Sequence, residues 1–193
     1  MPIYYISMST TSKTNPNKKV QQLLIDIQQG DAKKVIKAIK GLESHGNNSV
    51  LEPLLHYWKT VTEPLVDKEL GDFFAALKDT DSRHEIMEVL LNEEGEEFRI
   101  KLLTSIWNSK VDFSDYLAQF VRLASEGGFM ETLECLTILE NLDGPYEEEQ
   151  FFESQIALKN YLDNRASSTD QKAHLMSEIA LIIKDLEDNH VDF

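Results

Sequence analysis

In ten stretches along this chain, apolar side chains recur, in full or in part, at i, i+3, i+4 and i+7 and then stop at a short polar or glycine-containing break. That spacing lays a stripe down one face of an α-helix; a half-buried strand would alternate with period two. The first stripes are Val20, Leu23, Leu24, Ile27 and Val35, Ala38, Ile39, Leu42. Next come Leu51, Leu54, Leu55, Trp58, then Leu70, Phe73, Phe74, Leu77, then the short set Ile86, Val89, Leu90. Phe98, Leu102, Leu103, Ile106 and Trp107 line a sixth helix, and Phe113, Tyr116, Leu117, Phe120 and Ala124 a seventh. Cys135, Ile138, Leu139 and Leu142 mark the eighth, Phe152, Ile156, Leu158, Tyr161 and Leu162 the ninth, and Ile179, Ile182, Ile183 and Leu186 the tenth. Only `YYI` near the start suggests a strand, and it is too short to pair alone.

The breaks carry their own chemistry. Asp31 follows Gly30 as an N-cap, and Gly127-Gly128 closes the seventh helix. In `DGPYEEE`, Gly144 suits the left-handed position after a helix and Pro145 the first position of the next. Ser82 with Glu85, and Ser168 with Gln171, have the spacing of a capping box. The tail `DNHVDF` reads as frayed.

Taken in pairs, the helices repeat. The first members begin near positions 20, 51, 86 and 117, and the second near 35, 70, 99 and 132. A period of about 30–35 residues with two helices per unit belongs to stacked helical repeats. The stretch `EEGEEFR` then resembles the turn of a HEAT repeat, where an acidic turn precedes a branched apolar residue and an Arg. Phe98 stands at the apolar position, Arg99 matches the Arg, and Leu102, Ser105 and Ile106 fall at the later apolar or small positions. `ASEGGFMETLECLTIL` keeps the turn and the spacing without the Arg. The resemblance to HEAT and armadillo repeats implies an all-α, right-handed α-solenoid of about five antiparallel hairpins. It also implies a ladder in which Arg99 pairs with Glu93 or Glu94 in the acidic turn. Tetratricopeptide repeats share the period but not the marker residues. The organisation expected is a leader over 1–16, repeats over 17–143 and a longer capping hairpin over 144–193.

Charge narrows the function. The net charge is −15 over 193 residues, with 41% of them hydrophobic. Such acidity works against nucleic acid and anionic membranes, both of which need Lys and Arg. It is also unevenly spread. Residues 1–60 hold 8 Lys/Arg against 4 Asp/Glu, net +4, and the remainder 11 against 30, net −19. Lys33, Lys34, Lys37 and Lys40 share one side of the second helix, as a solvated face or as a contact for acidic groups. Self-association of the basic end with the acidic end is one consequence to test.

No catalytic or metal constellation stands out. Cys135, the one cysteine, sits on an apolar stripe as a buried thiol, excludes an intrachain disulfide and points to the cytoplasm. His84 with Glu88 and His174 with Glu178 are isolated i, i+4 pairs, too few ligands for a closed site. Nucleophile elbows, phosphate loops and dinucleotide fingerprints are absent from the sequence. The reading is a non-enzymatic, cytoplasmic scaffold or adaptor, without cofactor, binding a protein or peptide partner of basic character on a concave face. Second helices build that face in the repeats it resembles, which gives Lys68, Asp72, Lys101, Ser105, Glu131 and Glu134 as contact residues. Trp58 and Trp107 read as core residues, or more sharply as half-exposed anchors. The competing class, a helical-repeat enzyme or DNA glycosylase-like repair protein, is disfavoured by the acidic charge.

Overall fold

The computed structural model describes residues 18–164 and 171–190. The expected leader, the `YYI` segment and the Ser168 cap lie outside these residues. The described residues are all-α, with no strand among them. Ten helices follow in order: α1 Lys18–Gln29, α2 Ala32–His45, α3 Leu51–Thr60, α4 Pro64–Ala75, α5 Ser82–Asn92, α6 Glu96–Asn108, α7 Leu117–Glu126, α8 Phe129–Leu139, α9 Glu148–Asn164 and α10 Gln171–His190. Short 3-10 turns, Asn48–Val50 and Ser114–Tyr116, lead into α3 and α7.

The helices pack as an array of consecutive pairs. Within pairs, α1 lies on α2, α3 on α4, α5 on α6, α7 on α8 and α9 on α10. The second members form an unbroken series, α2 against α4, α4 against α6, α6 against α8 and α8 against α10. Among first members, α3 meets α5 and α7 meets α9. The stripes of α1 to α8 and α10 feed a single core, in which Leu54, Leu55, Leu70, Leu90, Leu102 and Leu103 are fully buried. Burying one such side chain is worth about 1.5–3 kcal/mol, which offsets the entropy of ordering these short helices. Trp58 belongs to this core. Its indole stacks on Phe74 at 5.1 Å between ring centroids and meets the edge of Phe98 at 5.7 Å, tying α3 to α4 and α6.

Several local expectations hold and others need correcting. Asp31 caps α2, its carboxylate accepting from the Lys34 N–H at 2.9 Å. Gly144 has a φ of +78°, the left-handed conformation glycine tolerates. Pro145, however, precedes α9 by three residues instead of opening it, because Tyr146 turns inward onto Phe151 before the helix begins. Ser82 is not a cap. Its hydroxyl donates to the Asp79 carbonyl, so Ser82 and Glu85 form no capping box. The tail expected to fray is helical as far as His190.

The largest correction concerns α9. Phe152, Ile156 and Leu162, read as core, are 63%, 43% and 63% exposed. The buried face is instead Phe151, Ser154 and Ala157, with Leu158 and Tyr161 partly covered. Small side chains let the backbone of α9 approach α7, where Ala118, Val121 and Ala124 are likewise buried. Shape, more than hydrophobicity, selects that face.

Candidate partner-binding face

The second helices share a register. Positions 68, 101 and 134 are separated by 33 residues each, on α4, α6 and α8. The same step reappears in a hydrogen-bonded closure. Asn108 donates to the Thr104 carbonyl at 2.8 Å, and Asn141 to the Thr137 carbonyl at 2.7 Å. Nothing in the apolar spacing announced this pair of Thr and Asn residues, since polar side chains at helix ends carry no periodic signal.

Polar links then stitch each of the first four units to its neighbour, between residues 27 to 34 apart in the chain. Lys40 pairs with Glu69 at 3.4 Å, Lys59 with Glu93 at 2.7 Å, and Arg83 with Asp115. Asp67 receives both Lys101 Nζ and the Trp58 indole N–H at 2.8 Å. Arg99 donates to the Glu93 carbonyl at 2.9 Å and to the Glu131 carboxylate in the following unit. Arg99 thus links neighbouring units, but the carboxylate that meets it is Glu131, not the expected Glu93 or Glu94. The Glu93 carboxylate turns back to Lys59 and to the Gly95 N–H at 2.7 Å, leaving Glu131 to balance Arg99.

Electrostatics follow from these pairings. Burial alone would raise the Glu93 pKa, but Lys59, the Gly95 N–H and the Arg99 charge outweigh it and hold the carboxyl below its ordinary value. The hydrogen bond to Glu131, against the cost of burial, pushes Arg99 upward. Burial, with the added negative charge of Glu131 and Glu134, pushes the Cys135 thiol far up, which suits an inert core residue.

These contacts sort the expected binding residues. Lys68 and Asp72 are exposed and pair with each other along α4. Lys101 is 26% exposed and held by Asp67. Glu134 accepts the Trp107 indole N–H at 2.6 Å. Ser105 and Glu131 are 4% and 2% exposed and point inward. Ser105 donates to the Leu102 carbonyl, and Glu131 is taken by Arg99 and the Gly128 N–H. Neither is available to a partner. Spacing alone placed them outward because a small Ser and an ion-paired Glu look like surface residues in sequence.

Trp107 is 41% exposed, unlike Trp58, and lies across from α8 through its bond to Glu134. Met130, 43% exposed, is one turn before Glu134 on the same side of α8, and Phe129, 41% exposed, precedes it. No protein-family model, no curated protein and no solved structure matches the chain. Geometry alone thus frames the function.

Two further features bound the chemistry. A cleft of about 830 Å³ opens where α2 and α4 end, lined by Glu43, Asn48, Glu52, Phe73, Leu77, Lys78, Asp79 and Glu85. Its carboxylates outnumber its one lysine, which disfavours nucleotides and other anions. Among the described residues, no group of three or more His, Cys, Asp or Glu gathers to hold a metal ion, and no helix is long and apolar enough to cross a membrane.

Proposed function

We propose that this protein is a HEAT-like α-solenoid acting as a non-enzymatic scaffold or adaptor, which binds a peptide or protein segment along its second-helix face. The observation carrying this reading is Trp107. A large aromatic ring stays half exposed while its only polar group is already satisfied by Glu134. An indole locked in one orientation is a low-entropy anchor for a partner side chain. Met130, one turn before Glu134 on α8, adds an adaptable apolar surface. Lys68, Asp72, Lys101 and Glu134 form the polar rim, with both signs of charge available for orientation. Partners carrying an apolar anchor flanked by basic residues suit this face best, given the −15 net charge.

Selection from a displayed peptide library tests the proposal. Peptides recovered on the wild type should protect α6 and α8 from hydrogen exchange, and Trp107→Ala should weaken them by about tenfold or more, the loss of a central anchor. Equal binding by Trp107→Ala and Met130→Ala, or protection confined to other helices, overturns the assignment.

A further inference from the structure

The outward side of α9 is built unlike the end of a solitary array. Phe152, Ile156 and Leu162 are exposed along it, and Glu149, Glu153 and Asp163 flank the Phe152–Ile156 ridge. The opposite side of the helix already packs on α7 and α10. A terminal unit normally shows water a polar face, and this one shows an apolar ridge among three carboxylates and one cation, Lys159.

At the other end the signs invert. Residues 18–45 carry six Lys against Asp26, Asp31 and Glu43, net +3. The described α9 and α10 carry three Lys against eight acidic side chains, net −5. On α2, Lys33, Lys37 and Lys40 stand opposite the buried Val35, Ala38, Ile39 and Leu42. Lys40 is held by Glu69, while Lys33 and Lys37 meet no carboxylate among the described residues. On α1, Ile25 is 45% exposed, on the side away from the buried Val20 and Ile27. The basic end thus offers an apolar residue and unpaired cations, and the acidic end an apolar ridge and carboxylates.

We infer that the α9 ridge is the docking surface for the α1–α2 pair of a second copy of this chain, so that molecules join head to tail. A two-fold contact of α9 on α9 would oppose two copies of one surface on which Glu149, Glu153 and Asp163 outnumber Lys159, so net charge works against it. Charge complementarity selects the opposite end of the same molecule. Such a contact joins two different surfaces, so it propagates instead of closing on itself as a symmetric dimer. It uses the ends of the array and leaves the α4–α6–α8 face open, so it stands or falls separately from the peptide-binding proposal.

Sedimentation of the full chain decides it. The wild type should associate with rising concentration at about 0.03 M salt and weaken by roughly tenfold at about 0.5 M, as screening removes the charge component. Phe152→Ser with Ile156→Ser, and Lys33→Glu with Lys37→Glu, alter exposed positions and should each give folded monomers, checked by circular dichroism. Mixed together, the two variants should form a one-to-one complex and nothing larger, because each retains one working end. A wild type that stays monomeric at low salt overturns the inference. So does association untouched by either variant, or a symmetric dimer that survives Lys33→Glu with Lys37→Glu.

Discussion

Glu131 is 2% exposed, and its charge is tolerable there only because Arg99 and the Gly128 N–H meet it. Removing Arg99 leaves a buried carboxylate without its cation. Arg99→Ala should therefore cost about 3 kcal/mol, the low end for breaking a buried pair because Arg99 itself remains 22% exposed. Chemical denaturation measures this, and a loss below about 1 kcal/mol would mean that water replaces the guanidinium. Gly127 belongs to the same arrangement. A Cβ placed there would come within 2.8 Å of the Leu123 carbonyl and 2.6 Å of the Glu131 carboxylate, so Gly127→Ala must displace one of them. Glu93 gives the pH dependence. Its pKa is depressed in the folded state, so its contribution is present above the ordinary carboxylate pKa and disappears as pH falls through the lower, folded value. Glu93→Gln should be less stable than the wild type at pH 7, and the gap should close in acid below the usual carboxylate range. Denaturation midpoints of both proteins across that range check the sign. Sequence pointed to Arg99 through its resemblance to a repeat turn. It could not point to Glu131, because the pairing spans 32 residues and depends on how neighbouring units stack.

At the scale of single helices, legibility depends on what covers each face. Stripes flanked by helices on both sides, such as Leu51, Leu54, Leu55 and Trp58 in α3, were read correctly because large apolar residues fill a thick core. The α9 helix defeated the same rule. It meets α7 closely, so Ser154 and Ala157 occupy the seam and larger residues turn away. Overpacking that seam should hurt more than trimming the apparent stripe. Ala157→Leu should destabilise the protein by about 1–3 kcal/mol. Ile156→Ala, at a site 43% exposed, should remain within about 0.5 kcal/mol at protein concentrations too low for association. Thermal or denaturant unfolding of the two variants side by side distinguishes a close-contact seam from a hydrophobic one. The candidate face shows the same limit. The outward placement of Lys68 and Asp72 followed from the helix period, while the difference between Trp58 and Trp107 did not, since each Trp closes the apolar stripe of its own helix.

For the whole molecule, the consequential feature is that helices lean chiefly on members of adjacent pairs. In a stack of this kind stability is close to a sum of unit and neighbour terms, with no single long-range nucleus. Among the described residues, the α1–α2 pair has a neighbour on one side only, and α4 and α6 have neighbours on both. Hydrogen exchange should consequently rise along a gradient, slowest in α4, α6 and α8 and fastest in α1. A core truncation then gives a sharper test of connectivity. Leu54→Ala removes a fully buried side chain from α3 and should cost about 2–5 kcal/mol locally. Its effect on exchange should be greatest in α3, α4 and α5 and should decay before reaching α9 and α10. Uniform loss of protection across all ten helices would instead indicate one indivisible cooperative unit. The step of 33 residues shared by positions 68, 101 and 134 would then describe a surface regularity without a matching division of the folding energy.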